Sequence, residues 1–319
     1  MSLVEQALAR MRNQAAAAKG NQAQPAAVKA NQAAVVIADV QRKKADSKPR
    51  PAPAPRPLAA PLPEPPEAAK HMTLDIAKMR ANGYLPEESR DRQFADHYRR
   101  IKRPLIDRVY EETDGTDMRV IMVTSALPGD GKTFTSINLA MSMALERDVS
   151  VLLIDCDVAK RHVSDIVGMR REVGLLDALV DESVDVESLV VQTNLRGLSI
   201  LPAGKPVEAT TELLSSNRMR QIIANLFVRN PRRILLLDSP PLLITNEGRA
   251  LLKIAGQLAL VVRAGHTPRH AVQEALALFD PEKPGGMILN HVTKSGGEGL
   301  YGYDSYGLYG EMGADAKES

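Results

Sequence analysis

The chain is poor in aromatic residues and nearly free of cysteine. Only 3% of its 319 residues are Phe, Trp or Tyr, and tryptophan is absent. A folded core must therefore be built from aliphatic side chains. The single cysteine, Cys156, excludes an intramolecular disulfide framework and a cysteine-rich zinc site.

Long apolar runs are also missing. No stretch approaches the roughly 18–20 continuous apolar residues that a membrane-spanning helix needs. Residues 1–12 carry acid and amide groups and no cleavage site, unlike a signal peptide. We therefore expect a cytoplasmic location.

Positive charge is concentrated near the start of the chain. The net charge is only +2, yet residues 1–70 hold eleven Lys or Arg against five Asp or Glu. Such a basic arm either contacts an anionic surface, lipid or nucleic acid, or is a solvated tail that cannot fold. We expect no nucleic-acid partner.

Composition divides the chain into four parts. Residues 1–12 have the apolar spacing of a short helix, and residues 13–72 form an Ala/Gln-rich and then Pro-rich stretch that predicts a disordered linker. Residues 73–294 are predicted to form the folded domain. Residues 295–319 predict a flexible, Gly- and Tyr-rich tail.

Within the folded part, a helical stretch precedes alternating strands and helices. Residues 73–110 predict helix with a break near 83–86. Apolar, β-branched runs then predict strands at 120–124, 151–155, 198–202, 234–238, 258–263 and 286–290. Helix-period segments at 132–146, 210–228, 246–254 and 268–279 lie between them. This order predicts an α/β fold, a doubly wound, mostly parallel sheet with helices on both faces. Together with the phosphate-binding sequence at residues 126–133, it predicts the P-loop NTPase type.

The first strand runs into a glycine-containing loop and then a helix. Residues 126–133 read Ala-Leu-Pro-Gly-Asp-Gly-Lys-Thr, which matches the phosphate-binding consensus except that Ala126 replaces its first glycine. A chance match is the alternative, but the position between strand and helix favours ATP binding with Mg²⁺. Lys132 is predicted to reach the β- and γ-phosphates and Thr133 to ligate Mg²⁺. The predicted nucleotide-binding residues of this segment are Pro128, Gly129, Asp130, Gly131, Lys132, Thr133 and Phe134.

Acidic and amide residues follow other predicted strands. Asp155 and Asp157 end one strand and Asp238 ends another. In open α/β sheets ligands bind at the carboxyl ends of the strands. These acids are therefore predicted to face one Mg²⁺–nucleotide. The alternative is that each Asp only caps a turn, as a single Asp at a strand end often does. Arg263 and Asn290 are candidate contacts to the base, and Asn290 can equally cap the following turn.

These motifs together resemble the bacterial tyrosine kinases of polysaccharide synthesis and export. The resemblance covers residues 73–294, the first helix and the tail, and is closest to the exopolysaccharide autokinases of exosortase-type (PEP-CTERM) loci. It implies that Lys132, Asp155 and Asp157 are catalytic, with Asp155 orienting or deprotonating the tyrosine hydroxyl. It implies that Thr133, Asp157 and Asp238 hold Mg²⁺. It also implies autophosphorylation of four tail tyrosines: Tyr301, Tyr303, Tyr306 and Tyr309.

The resemblance further implies an assembly. The family forms rings through a helix with a Glu-x-x-Arg-x-x-Arg pattern, matched here by Asp96, Arg99 and Lys102 with charge preserved. Phosphorylated tails are expected to loosen such a ring. The resemblance also implies a membrane-bound chain-length regulator that activates the kinase and holds it at the inner membrane, and a cognate tyrosine phosphatase. Ala159 departs from the family, which often has Arg there.

Two other functions remain open at this point. One is a partitioning or division-site ATPase switch, whose phosphate loop carries an extra lysine where this chain has Leu127. The other is a nucleotide-binding scaffold of a polysaccharide export complex without transferase activity.

Overall fold

The computed structural model describes residues 70–109 and 117–292. The predicted N-terminal helix, nearly all of the predicted linker and the four tail tyrosines lie outside these residues. The described residues form an α/β fold around one sheet of eight strands. The strands are β1 Lys70–Met72, β2 Val120–Ser125, β3 Ser150–Asp155, β4 Val191–Thr193, β5 Leu198–Leu201, β6 Arg233–Asp238, β7 Gln257–Arg263 and β8 Gly285–Asn290.

The strand order is β1-β4-β5-β3-β6-β2-β7-β8. All neighbours are parallel except β4 and β5, which pair antiparallel. The central strands β2 and β6 are buried along their whole length, as near-continuous apolar runs require in a sheet covered on both faces. The predicted doubly wound, mostly parallel sheet is confirmed.

Helices cover both faces of the sheet. Alternate residues of β2 enter two separate cores: Val120 and Met122 pack into one, Ile121 and Val123 into the other. The described α-helices are α1 Ile76–Ala81, α2 Asp91–Arg108, α3 Lys132–Ala144, α4 His162–Ile166, α5 Leu175–Val180, α6 Thr210–Ser215, α7 Asn217–Arg229, α8 Asn246–Leu252 and α9 Arg269–Ala277. Helices α1 to α4 contribute to the second core and α5 to α9 to the first.

Two predicted boundaries were wrong, and one predicted break is confirmed. The single helix predicted over 210–228 is two helices, because Ser216 adopts an extended backbone and its hydroxyl caps α7 at the Met219 N–H, 3.2 Å away. Residues 70–72, assigned to the linker, form edge strand β1 on β4. The break predicted near 83–86 in the N-terminal helical stretch is confirmed: it runs from residue 82 to 90 and includes Gly83 at φ 76°.

Helix α2 lies along α3, the helix that follows the phosphate loop. The rings of Phe94 and Phe134 meet edge-on at 6.1 Å. At the other end, the Lys102 ammonium donates to the Ser142 carbonyl at 2.6 Å and pairs with Glu146 at 2.9 Å. The N-terminal helices therefore support α3 from its first turn to its last.

This packing places the three residues of the predicted oligomer interface in different surroundings. Asp96 and Arg99 are exposed and pair with each other at 2.6 Å, as expected of a surface pair. Lys102 is only 6% exposed, because its ammonium is turned onto the C-terminal end of α3. Lys102 is therefore not exposed beside Asp96 and Arg99 in the single chain, and the oligomer interface at these three positions stays a prediction.

Candidate nucleotide-binding site

The loop between β2 and α3 has the backbone that a phosphate site needs. Gly129 and Gly131 have φ of 84° and 94°, in the left-handed region that favours glycine. A Cβ on Gly131 would lie 1.9 Å from Nδ2 of Asn290, so no larger residue fits there. Helix α3 starts directly after, at Lys132. Its free N–H groups and positive dipole end make this loop suited to an anion.

Ala126, at the position of the first consensus glycine, is fully buried in the core that α5 to α9 cover. Its methyl group is therefore accommodated by packing, and the loop keeps its shape without a glycine there.

The loop is held by one residue that follows β7 and by one at the end of β8. The Asp130 carboxyl, fully buried, accepts a hydrogen bond from the Thr267 hydroxyl at 2.7 Å. Its backbone carbonyl accepts one from the side-chain amide of Asn290 at 2.9 Å. Burial raises the pKa of Asp130, although the Thr267 hydroxyl, the Leu127 N–H and the nearby positive side chains oppose that shift.

Two acids stand side by side at the carboxyl edge of the sheet. Asp155 and Asp238 are direct neighbours in the register of β3 and β6. Oδ2 of Asp155 accepts from the backbone N–H and the hydroxyl of Ser164, at 2.8 and 2.7 Å. Its Oδ1 is buried and has no hydrogen-bond partner within the described part of the chain. Burial, and then the charge of Asp238, raise the pKa of Asp155 to about 7.

Asp238 is tied to the first turn of α3. Its Oδ2 accepts from the Thr133 hydroxyl at 2.9 Å and its Oδ1 from the Ser136 hydroxyl at 2.8 Å. Burial raises the pKa of Asp238, and the charge of Lys132 and these two hydroxyls work against the shift. A motif acid on β6 and the motif hydroxyl on α3 are thus in direct contact.

The motif lysine lies among these acids. The Lys132 ammonium is 2.7 Å from Oδ2 of Asp157, and both side chains are almost fully buried. Burial alone lowers the pKa of Lys132, but Asp238 and Asp157 outweigh it, so the net shift is upward and the ammonium stays charged. The site therefore holds a fixed positive charge where α3 begins.

The oxygen donors at this site fit Mg²⁺. A threonine hydroxyl and carboxylates are the hard ligands that Mg²⁺ prefers. Among the described residues, no group of three or more His, Cys, Asp or Glu is arranged to enclose a metal. The donor set of Thr133, Asp157 and Asp238 suits an ion that completes its shell with phosphate oxygens and water.

The two candidate base contacts are neighbours at the next strand ends. Arg263 and Asn290 are register partners on β7 and β8. The Arg263 guanidinium lies 3.5 Å from the Gly129 carbonyl. Asn290 is fully buried, and its side-chain amide binds the phosphate loop; its Oδ1 has no partner within residues 70–109 and 117–292. Both residues therefore border the loop.

Three hydroxyl groups of the site were missed in the sequence. Ser136 lies three residues after Thr133 on α3, a spacing that could have placed it on the same helix face. Ser164 reaches Asp155 from α4, nine residues further along the chain, and Thr267 reaches Asp130 from the loop between β7 and α9, 137 residues away. No local motif marks either residue.

The remaining predicted residues lie around this centre. Pro128 belongs to the loop and Phe134 to the first turn of α3, and Phe134 points into the core toward α2.

None of the helices in the described ranges is both long and apolar enough to cross a membrane.

Comparison with known proteins places this site in a family. A family model described as an AAA domain matches residues 118–274. The tyrosine-protein kinase YwqD of Bacillus subtilis is 32% identical over 196 residues, which are 60% of this chain and 78% of YwqD. The tyrosine-protein kinase Wzc of Salmonella typhimurium is 30% identical over 192 residues, 60% of this chain. The chain spans only 26% of Wzc.

A solved structure shows the same relation. The kinase domain of VpsO superposes with a TM-score of 0.53 at 30% identity, covering 65% of this chain and 98% of that domain. The similarity thus extends over nearly all of a solved kinase domain.

Proposed function

The chain belongs to the bacterial tyrosine kinases, and we propose that it uses Mg·ATP to phosphorylate tyrosines of its own C-terminal segment. The observation that carries this proposal is that Lys132, at the start of α3, pairs with Asp157 and lies within the electrostatic influence of the neighbouring acids Asp155 and Asp238. The kinase names of its relatives agree with it. The Leu127 position, which lacks the extra lysine of the partitioning ATPases, supports a kinase over that alternative.

Binding of the triphosphate falls to the loop and to Lys132. The loop N–H groups would surround the phosphates, and Lys132 would move part of its contact from Asp157 to the β- and γ-phosphate oxygens. Thr133, Asp157 and Asp238 would hold Mg²⁺, which neutralises phosphate charge when bound. Arg263 and Asn290 would border the base, and the free Oδ1 of Asn290 offers an acceptor.

Asp155 is proposed to act on the tyrosine hydroxyl. Its free Oδ1 and a pKa of about 7 suit a group that takes up a proton near neutral pH. The phenol oxygen bonds to the γ-phosphorus, the bond from that phosphorus to the ADP oxygen breaks, and the phenol proton passes to Asp155. Because a free phenol has a pKa near 10, positioning must supply much of the activation.

The substrate is proposed to be the cluster Tyr301, Tyr303, Tyr306 and Tyr309. Each phosphate adds about −1.5 to −2 charges near neutral pH. Repulsion among such tails would loosen a ring built through Asp96 and Arg99 of neighbouring copies. We extend the proposal to regulation of exopolysaccharide synthesis or export, with a membrane-bound chain-length regulator as activator at the inner membrane and a tyrosine phosphatase as antagonist.

The test is autophosphorylation of the purified full chain. Incubation with Mg·ATP, with and without the cytoplasmic segment of a chain-length regulator, should give phosphotyrosine on the tail by mass spectrometry. Lys132→Ala should abolish the signal, and the matched Lys160→Ala, at an exposed position, should retain it. A full chain with all four tail tyrosines changed to Phe should give no phosphotyrosine but should still bind ATP. Nucleotide binding without any phosphotyrosine under both conditions would instead support the scaffold.

A further inference from the structure

An acidic side chain lies inside the loop that is proposed to bind a polyanion. Asp130 stands directly before Gly131 and Lys132, yet its carboxyl has no exposed surface. A free carboxylate at this position would repel phosphate oxygens. The loop therefore needs something that keeps this group turned into the protein.

Thr267 supplies that contact. It lies in the loop between β7 and α9, is 6% exposed, and its hydroxyl is 2.7 Å from Oδ1 of Asp130. The contact joins residues 137 positions apart in the sequence. Within the described ranges, the Asp130 carboxyl accepts one other hydrogen bond, a longer one of 3.4 Å from the Leu127 N–H.

The direction of this hydrogen bond is fixed by a second one. The backbone N–H of Arg263 donates to the same Thr267 oxygen at 2.9 Å. Since an N–H can only donate, the hydroxyl proton is left for Asp130. The threonine thus connects the end of β7 to the carboxyl and cannot turn away without breaking both hydrogen bonds.

The backbone of Asp130 is held separately. Asn290 binds its carbonyl at 2.9 Å from the end of β8. Loss of the Thr267 hydroxyl would leave the carboxyl only the long contact from the Leu127 N–H, while the main chain stays anchored. The released carboxylate would then be able to turn toward the phosphate side of the loop.

We propose that Thr267 is a positioning residue for the nucleotide: its hydroxyl holds the Asp130 carboxyl away from the triphosphate and so sets the affinity for Mg·ATP. This inference rests on the proposed nucleotide binding. Because Thr267 is proposed to act through Asp130, the effect of a Thr267 substitution on the affinity for Mg·ATP should depend on whether Asp130 is present.

The experiment is a double-mutant cycle read by isothermal titration calorimetry of the full chain with Mg·ATP. Thr267→Val should raise Kd by about tenfold in the natural background, and by less than about twofold in an Asp130→Ala background, because the group to be held is then gone. Thr267→Ser, which keeps the hydroxyl, should restore the natural Kd. Equal effects of Thr267→Val in both backgrounds, or no effect in the natural one, would overturn the proposal.

A matched control separates positioning from stability. Thr210 is similarly buried, and its hydroxyl donates to the Val207 carbonyl at 2.6 Å, outside the loop. Thr210→Val should lower the melting temperature without changing Kd. If Thr267→Val is too unstable to purify, Thr267→Ala takes its place in the same cycle. Absence of binding by the natural chain would count against the proposed function itself, whereas binding with an unchanged Kd in the Thr267 variants would count only against this inference.

Discussion

Asp155→Asn should make the protein more stable and inactive at the same time. Asp155 is fully buried beside Asp238, and burial together with that neighbouring charge raises its pKa from 3.8 to about 7. The folded state therefore disfavours the carboxylate. Asparagine keeps the shape and an acceptor for Ser164 but cannot ionise, and its amide can donate toward Asp238.

The size of the effect follows from the pKa shift and changes with pH. Because the pKa is raised on folding, the protonated acid contributes stability below about pH 4, and this contribution is lost as the pH rises through 7. Between about pH 4 and pH 7, each pH unit changes the free energy of unfolding by about 1.4 kcal/mol. Between pH 5 and pH 8 the stability of Asp155→Asn relative to the natural chain should therefore rise by about 2–3 kcal/mol.

Thermal unfolding at pH 5 and pH 8, without nucleotide or metal, measures this difference. For a domain of this size, 2–3 kcal/mol corresponds to roughly 5–10 °C in Tm. Glu274→Gln, at an exposed position on α9, serves as the matched control and should show no such change with pH. The same Asp155→Asn protein should give no tail phosphotyrosine, because it cannot accept the phenol proton.

A pH-independent difference in Tm would refute the reasoning, since it would mean that Asp155 is already ionised at pH 5 in the folded state and that its pKa is not raised to about 7. Full autophosphorylation by Asp155→Asn would refute the assigned role of its carboxylate, whatever the stability result.

Two further predictions concern the loop and the helix behind it. Gly131→Ala should abolish detectable Mg·ATP binding in calorimetry, because the new Cβ would lie 1.9 Å from Asn290 Nδ2 at a backbone φ of 94°. The control is Gly168→Ala, which is also at positive φ but has open space around it. Unchanged binding by Gly131→Ala would show that the loop tolerates another shape. Lys102→Met should lower the unfolding free energy by about 1–3 kcal/mol, because it loses the contacts with Ser142 and Glu146. The control Arg99→Ala breaks only an exposed pair and should lower the unfolding free energy by less than about 1 kcal/mol. A similar loss of denaturant stability in both variants would contradict the buried role of Lys102.

Local sequence was sufficient to predict the centre of the site. Asp155 and Asp238 each end an apolar run, and parallel strands that share an edge must bring such residues together; their register on β3 and β6 agrees with this. The phosphate loop was likewise readable, because glycine positions and the Lys-Thr pair lie within eight residues. The parallel sheet followed from the same strand–helix order.

What escaped prediction depends on contacts between distant segments. Lys102 has the spacing of a surface residue, and only the packing of α2 on α3 turns it inward. Strand β1 is three residues long and is defined by pairing with β4, more than a hundred residues away. Thr267 carries no motif, and its role arises from the approach of the β7–α9 loop to Asp130.

The most direct test of the central claim is calorimetric titration of the natural chain with Mg·ATP beside Lys132→Ala. The account predicts saturable binding at one site per chain and a loss of at least about tenfold in affinity in the variant, because the charged group at the start of α3 is removed. Absence of binding heat from the natural chain, or equal affinity in the two proteins, would contradict the assignment of this loop as the ATP site.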